Sequence, residues 1–157
     1  MKIIADLTKG ELQVNGAAFP ITCRVRTLRD GTRKSYEVIR SIPDSLPYDP
    51  RPFPKGIWNI TGVERQKKYG FDPNTYGPVK IRTDAWQHVN VWETDGDGDY
   101  LRETPRQVRD GGYLLHYSVS GTTLGCIRLA SPRDAEMIGE IIERLLGQGG
   151  SVQLEVV

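Results

Sequence analysis

One cysteine and one histidine, ten positions apart, have the clearest chemical potential in this sequence. Cys126 follows a glycine, and His116 follows the apolar run at residues 113–115. A thiol becomes a strong nucleophile only as the thiolate, so a catalytic cysteine needs a proton acceptor within hydrogen-bond reach. The separation is long enough for the chain to reverse and bring the two side chains together. The pair therefore predicts a cysteine nucleophile with a histidine base.

Gly125, directly before the cysteine, is expected to serve the same reaction. Because glycine has no Cβ, a substrate backbone can pass close to it, and the N–H groups of Gly125 and Cys126 can hold a developing oxyanion. Spacing alone leaves a second interpretation open for both partners. A free cysteine is often a small buried apolar residue, and a histidine at a strand end is often a satisfied structural group.

Hydrophobic periodicity predicts the elements that position these residues. The turn sequences Thr8-Lys9-Gly10 and Asn15-Gly16 separate alternating segments and indicate an opening β-meander. Ser131 as the cap and Pro132 in the first turn predict one long helix, which ends at Gly147. Strands are predicted at residues 2–7, 11–14, 21–28, 36–39, 56–61, 79–82, 89–92, 113–116 and 152–156. We therefore expect a mainly β domain of the α+β class.

Length and composition favour one domain over residues 1–157, since 38% hydrophobic and 26% charged residues suit a single core. Five prolines between residues 41 and 54 predict an exposed, extended loop, because proline cannot donate to a strand ladder. Lysine and arginine number 21 against 20 aspartates and glutamates, which argues against nucleic acid or an acidic membrane as a partner.

No export signal or membrane span is predicted. The N-terminus lacks the long apolar core of a secretory signal, and no run is long enough to span a bilayer. We expect either secretion by a dedicated system or the removal of an export segment. The two cysteines, Cys23 and Cys126, are too few for a disulfide scaffold, although a single bridge between them stays open.

The remaining residues of chemical interest favour structural interpretations. His88 lies in an alternating segment and is expected at the surface or at a pocket rim, and the three tryptophans are expected mainly in the core. The alternating acidic segment 95–99 departs from the EF-hand pattern, so a solvated turn is expected, with calcium as the alternative. The scattered histidines and cysteines lack zinc-ligand spacing.

The segment around the cysteine carries a specific motif. Thr123-Leu124-Gly125-Cys126-Ile127-Arg128-Leu129 resembles the active-site signature of L,D-transpeptidase (YkuD-type) domains, and six of its seven positions agree. Tyr113-Leu114-Leu115-His116 resembles the histidine strand of that family, Pro54-Lys55-Gly56-Ile57-Trp58 resembles the start of another strand, and Gly77-Pro78 is similar to an element between them. The order of these elements is also that of the family. The resemblance covers most of the chain, and the cysteine motif is its specific part.

The resemblance implies a β-sandwich enzyme of bacterial peptidoglycan, an L,D-transpeptidase or L,D-carboxypeptidase that needs no metal or organic cofactor. Cys126 would attack the L-centre carbonyl of a tetrapeptide stem, release the terminal D-alanine and form a thioester. An amine, water or a free D-amino acid would then resolve the thioester. His116 would act as the base, oriented by the backbone carbonyl of Tyr117, and the Gly125 N–H would hold the oxyanion.

Two residues of the motif are assigned to substrate binding. Thr123 is one of them. The other is Arg128, whose guanidinium matches a stem carboxylate, with a structural salt bridge as the open alternative.

The chain departs from the family at three places. Leu124 stands where histidine or another polar residue is usual, Tyr117 stands where glycine or serine is usual, and the connection between histidine and cysteine is short. This short connection resembles the compact L,D-transpeptidase-like toxins delivered by bacterial type VI secretion. That likeness implies action in the periplasm or cell wall and an immunity protein as a further partner.

Two rival interpretations of function stay open. One is a non-catalytic β module that binds the cell wall or a protein partner through its aromatic strands. The other is a cysteine peptidase or amidase that acts on a different amide bond.

Overall fold

Ten strands and three helices occupy the part of the chain described by the computed structural model, which is residues 1–25, 48–94 and 100–157. Strand accounts for 46% of the structure, in agreement with the α+β class. The strands are β1 (Lys2–Asp6), β2 (Glu11–Val14), β3 (Ala17–Thr22), β4 (Gly56–Arg65), β5 (Val79–Thr83), β6 (Gln87–Thr94), β7 (Tyr100–Asp110), β8 (Leu114–Tyr117), β9 (Ile127–Leu129) and β10 (Gln153–Val156). The helices are α1 (Gln66–Tyr69), α2 (Pro73–Tyr76) and α3 (Pro132–Gly147).

Eight of these strands close into a barrel in the order β1-β10-β4-β5-β8-β9-β3-β2, while β6 and β7 form a separate two-stranded sheet. The pairs β1–β10 and β8–β9 are parallel, and the other neighbours are antiparallel. The structure therefore shows a closed barrel rather than the expected β-sandwich. The reason lies in β3 and β4, each of which pairs with one neighbour over its first half and with another over its second half. Both strands thereby turn a corner and join sheets that a sandwich would keep apart.

The predicted meander is confirmed by β1, β2 and β3, which pair antiparallel in sequence. Asn15 and Gly16 both have positive φ, at 50° and 79°, as a two-residue hairpin turn of the I′ type requires. At the first turn, Asp6 Oδ1 accepts the N–H groups of Thr8 and Lys9 at 3.0 and 2.9 Å. Local turn chemistry therefore sets the register of this part of the barrel.

The third predicted strand, over residues 21–28, is only partly confirmed. β3 ends at Thr22, and a single bridge pairs Val25 with Thr123. The rest of that strand, the strand predicted at 36–39 and residues 41–47 of the proline-rich segment lie outside the described residues.

The described part of the proline-rich segment, residues 48–54, is not the exposed loop expected from its composition. Tyr48, Pro50, Phe53 and Pro54 are all buried. The Phe53 ring packs edge-on against Tyr113, with 5.4 Å between the ring centroids. Proline limits the backbone hydrogen bonds of a segment, but it does not prevent apolar side chains from entering the core.

Three further differences concern segments with weak apolar patterns. The strand predicted at 56–61 continues to Arg65 as β4, and the single-turn helices α1 and α2, which were not predicted, follow it. β7, which pairs with β6, was not predicted, because five of its eleven residues are charged and a proline interrupts it. β9 was not predicted either, because it has only three residues.

Helix α3 is the one long helix predicted from the sequence, and its bounds are confirmed. Ser131 Oγ accepts the N–H of Asp134 at 3.1 Å, and Pro132 occupies the first turn. One face buries Ala135, Ile138, Gly139 and Ile142 against β4 and β5. At Gly139 a Cβ would lie 3.3 Å from a methyl group of Val79, so the glycine lets the helix approach β5 closely. The helix thereby supports the strands that carry the site.

Candidate active site

Cys126 and His116 are brought together by the parallel pairing of β8 and β9. Cys126 immediately precedes β9, and the register places Leu115 opposite Ile127 and His116 opposite Arg128. The N–H of Leu114 donates to Cys126 Sγ at 3.4 Å. Since side chains alternate along a strand, Leu114 and His116 share a face, and His116 lies one step along that face from the cysteine. Both predicted residues line a cleft of about 490 Å³.

The hydrogen bond of the histidine ring indicates which nitrogen can accept a proton. His116 is 4% exposed, and its Nδ1 lies 2.8 Å from the backbone oxygen of Tyr117. A carbonyl oxygen can only accept a hydrogen bond, so Nδ1 carries the hydrogen. In the neutral ring Nε2 therefore holds the lone pair and is the basic atom. The Tyr117 carbonyl thus orients the ring, as the family resemblance implies.

A second contact fixes the histidine ring from the side of α2. The Tyr76 ring meets the His116 ring edge-on, with centroids 5.3 Å apart and an interplanar angle of 61°. Tyr76 ends α2, whose first turn is capped by Asp72 through the N–H of Asn74 at 3.0 Å and the hydroxyl of Thr75 at 2.7 Å. These hydrogen bonds hold the pKa of Asp72 below its ordinary value, with the Thr75 hydroxyl as the main cause.

Gly125 is required by the packing of the protein itself. Its φ is +114°, which side chains rarely adopt, and a Cβ there would collide with the Arg51 carbonyl and lie 2.7 Å from Tyr113 Cε1. The N–H of Gly125 donates to Thr123 Oγ1 at 3.2 Å. That donor is already used inside the loop, which argues against its expected role as an oxyanion donor. The corresponding role of the Cys126 N–H stays a prediction.

Thr123 fastens the loop that carries the nucleophile. Its hydroxyl donates to the Cys126 carbonyl at 2.8 Å and accepts the Gly125 N–H at 3.2 Å. A hydroxyl has one proton and two lone pairs, so only one lone pair is left for a substrate. Thr123 lines the cleft, as its predicted substrate-binding role requires, but its hydrogen bonds position the loop.

Arg128 lies outside the set of residues that line the cleft. Its Nε donates to the backbone oxygen of Ser118 at 2.7 Å, and its guanidinium carbon lies 5.2 Å from the centre of the Tyr117 ring. Within the described residues no carboxylate forms a salt bridge with Arg128. Binding of a stem carboxylate by Arg128 stays a prediction.

Cys23 approaches the same segment from the opposite side. Its Sγ donates to the Gly125 carbonyl at 3.4 Å and accepts the Phe53 N–H at 3.4 Å. Burial raises the pKa of this thiol above its ordinary value, the Phe53 N–H lowers it, and the nearby Cys126 raises it further. No disulfide bond joins Cys23 and Cys126.

The cleft contains charged residues that the sequence analysis did not single out. Glu64, Lys80 and Arg82 line it beside the two predicted catalytic residues. A signal for the two cations was present, because the alternation over residues 79–82 places Lys80 and Arg82 on one face of a predicted strand. Assigning that face to the cleft required the pairing of β5 with β8, which no local pattern provides.

The other predicted residues lie away from the cleft. His88 is exposed and meets the Trp86 ring edge-on, and the Arg109 guanidinium carbon lies 4.3 Å from the centre of that ring. Trp58, Trp86 and Trp92 are all half-buried, so the expectation of core tryptophans is met only by Trp58, which packs against the main core.

No metal-binding cluster is found in residues 1–25, 48–94 and 100–157, where no group of three histidine, cysteine, aspartate or glutamate side chains could hold an ion. The acidic segment 95–99, with its calcium alternative, lies outside the described residues.

Within the described residues, no helix combines the length and the apolar character needed to cross a membrane. No protein-family model, no curated protein and no solved structure matches the chain.

Proposed function

We propose that the chain is a cysteine-dependent enzyme of bacterial peptidoglycan, with L,D-transpeptidase or L,D-carboxypeptidase activity on tetrapeptide stems. The observation that carries this proposal is the shared cleft of Cys126 and His116, in which the Tyr117 carbonyl leaves Nε2 as the basic atom of the ring. A thiol and a base that a third group orients are the parts that thioester chemistry needs. The resemblance of residues 123–129 to the L,D-transpeptidase signature supplies the substrate class.

The proposed reaction begins with transfer of the Cys126 proton to His116 Nε2. The thiolate attacks the carbonyl carbon of the L-centre residue, and a C–S bond forms. The C–N bond to the terminal D-alanine then breaks, and the imidazolium returns the proton to the departing amine. Attack on the thioester by a neighbouring stem amine gives a crosslink, whereas attack by water gives a trimmed stem. No oxidant, reductant or cofactor enters either step.

The form of the cleft supports a peptide substrate. Its volume of about 490 Å³ lies within the range of small-ligand sites. Its wall carries neutral polar side chains that suit the amide groups of a stem, namely Asn74, Thr75, Ser118, Ser120 and Thr122. The hydroxyl and amide groups can exchange hydrogen bonds with a peptide backbone without adding charge.

Incubation with purified muropeptides, followed by mass spectrometry, tests the proposal. The wild-type protein is expected to trim, exchange or crosslink tetrapeptide stems and to form an acyl adduct on Cys126. Cys126→Ala is expected to remove every product, while Cys23→Ala serves as the matched cysteine control. Absence of both products and adduct with the wild type would refute the proposal. Cleavage of a peptide without any D-centre would instead favour a general cysteine peptidase.

The short connection between His116 and Cys126 extends the proposal to an antibacterial toxin that acts in the periplasm. Expression directed to the periplasm of a susceptible bacterium is expected to arrest growth, whereas expression in the cytoplasm is not. Cys126→Ala should remove the effect at an equal protein level. Growth arrest that persists in this variant would separate toxicity from the proposed chemistry.

A further inference from the structure

Strand β5 places two cations in the wall of the cleft, next to the base. Lys80 is the register partner of His116, and Arg82 is the partner of Leu114. Side chains of directly opposed residues stand on the same face, with Cβ atoms about 5 Å apart. Lys80 and Arg82 accordingly line the same cleft as His116 and Cys126.

The two cations differ in their partners. Arg82 is compensated, because its Nη1 lies 2.8 Å from Glu64 Oε1. Lys80 Nζ lies 3.8 Å from the centre of the Tyr76 ring and 4.6 Å from that of Phe71. Within the described residues no carboxylate lies within ion-pair distance of Lys80 Nζ. The two rings hold the ammonium group in place but leave its charge uncompensated.

The ammonium group of Lys80 and the ring of His116 contact the same aromatic side chain. The Tyr76 ring that the ammonium group covers is the ring that meets His116 edge-on. An anion bound by Lys80 would therefore lie in the same part of the cleft as the histidine, because both side chains contact the Tyr76 ring. Lys80 is half-buried, so such a contact would be less screened by solvent than one on an open surface.

We propose that Lys80 forms a carboxylate-binding subsite that recognises an acidic group of the peptide stem next to the scissile bond. This inference rests on the proposed function, because that function supplies a substrate rich in carboxylates. Two carboxylates of a stem fit the position: the terminal α-carboxylate of the departing residue and a side-chain carboxylate of the residue that is acylated. Lys80 Nζ would donate a charge-assisted hydrogen bond to either of them.

Binding of synthetic stem peptides to the Cys126→Ala protein, measured by calorimetry, tests the subsite without turnover. Each carboxylate is compared with its carboxamide, one position at a time. We expect about a tenfold preference for one of the two carboxylates, as for a charge-assisted hydrogen bond. Lys80→Met should remove this preference and leave the affinity for the carboxamide unchanged. Lys80→Arg should retain it, and the preference should weaken as salt is added.

Lys68→Met provides the matched control. Lys68 also lies over an aromatic ring, 5.6 Å from the centre of Tyr69, but it is exposed on α1 and does not line the cleft. This variant should keep the full carboxylate preference. Equal preference in wild type and Lys80→Met would overturn the subsite, and so would equal weakening of acid and amide, which indicates a structural effect.

Turnover by the wild type separates the subsite from the proposed function. If stems bind with a Lys80-dependent preference but no thioester or product forms, the subsite stands and the proposed activity fails. If products form with the same preference in wild type and Lys80→Met, the activity stands and the subsite fails. If no stem binds to the Cys126→Ala protein, the subsite is overturned, and the products decide the activity separately.

Discussion

The two sides of the Gly125-Cys126 segment differ in chemistry although a cysteine lies on each. The cleft side consists of Cys126, His116 and the residues that line the cleft. The core side consists of Cys23, Phe53 and Tyr113, which pack behind the segment. On the cleft side the thiol, 6% exposed, lines the cleft together with a histidine, whereas on the core side the thiol is half-buried, does not line the cleft and has its pKa raised by burial. The same side chain is thus suited to reaction in one place and to packing in the other.

The core side determines the geometry of the cleft side. The Arg51 carbonyl and the Tyr113 ring leave no space for a Cβ at residue 125, and Cys23 donates to the carbonyl of the same residue. A nucleophile at a strand end needs a backbone that does not shift. Here the contacts of Gly125 with the core side hold that backbone in place. The difference suggests four measurements.

The largest expected effect is on activity, from removal of the cysteine on the cleft side. Cys126→Ala should lower kcat/KM for stem trimming by at least about 10³-fold, because the attacking atom is lost. Cys23→Ala should keep kcat/KM near the wild-type value, since Cys23 does not line the cleft and the variant loses only weak sulfur hydrogen bonds to the Gly125 carbonyl and the Phe53 N–H. Steady-state kinetics on one tetrapeptide compares the two variants. A similar loss in both would break the distinction between the two sides.

The next effect is on stability, from a side chain added at Gly125, where the core side leaves no space. Gly125→Ala should reduce the free energy of unfolding by about 3 kcal/mol, through the strain of positive φ together with overpacking. Gly121→Ala, in the same connection, is the control, because a Cβ there has nothing within 4 Å and its φ is not positive. Denaturant titration measures both. Equal stability of the two variants would show that residue 125 is not held from the core side.

A smaller effect is expected from the hydroxyl that fastens the loop. Thr123→Val keeps the shape of the side chain but removes its bonds to Cys126 and Gly125, and should cost about 1–3 kcal/mol of unfolding free energy. Thr123→Ser should retain most of the stability, and Thr122→Val, at an exposed neighbour, should be neutral. If Thr122→Val and Thr123→Val proved equally stable, the two hydrogen bonds would contribute nothing to the free energy of unfolding.

The smallest effect is a difference in alkylation rate between the two thiols. At pH 8 iodoacetamide should modify Cys126 about tenfold faster than Cys23, because Cys126 lines the cleft beside a histidine base, whereas Cys23 does not line it and has a raised pKa. The raised pKa of Cys23 favours the protonated thiol in the folded state. The stability that this pKa shift contributes is therefore fully present below the pKa of Cys23 in the unfolded chain. It is lost as pH rises through the pKa of Cys23 in the folded state. Peptide mapping against pH gives both rates, and faster labelling of Cys23 would contradict the comparison.

Local sequence patterns predicted the elements with strong signals. The hairpin at Asn15-Gly16, the helix that begins after Ser131 and the strand that carries His116 all follow from turn, cap and alternation rules. These rules concern neighbouring residues, so they hold wherever the tertiary structure does not oppose them. Closure of the barrel could not be predicted in this way, because it depends on pairings between distant segments such as β1 with β10.

The candidate site shows the same division. Cys126 and His116 were identified from the motif and its spacing, but the cations of β5 were not, because only the register of β5 with β8 places Lys80 beside His116. The reason for Gly125 was also misjudged. The sequence suggested room for a substrate, whereas the Arg51 carbonyl and the Tyr113 ring occupy that space. The local sequence shows a residue's type, but the groups that pack against that residue depend on the tertiary structure.

The position of β10 in the barrel has a consequence for how the two thiols come to differ as the barrel closes. β10 lies between β1 and β4, although it follows every other strand along the chain. The wall is therefore open at this seam until residues 153–156, which follow His116 and Cys126 along the chain, pair with β1 and β4. We expect a purified chain truncated after Gly150, which lacks β10, to expose Cys23 to alkylation as readily as Cys126.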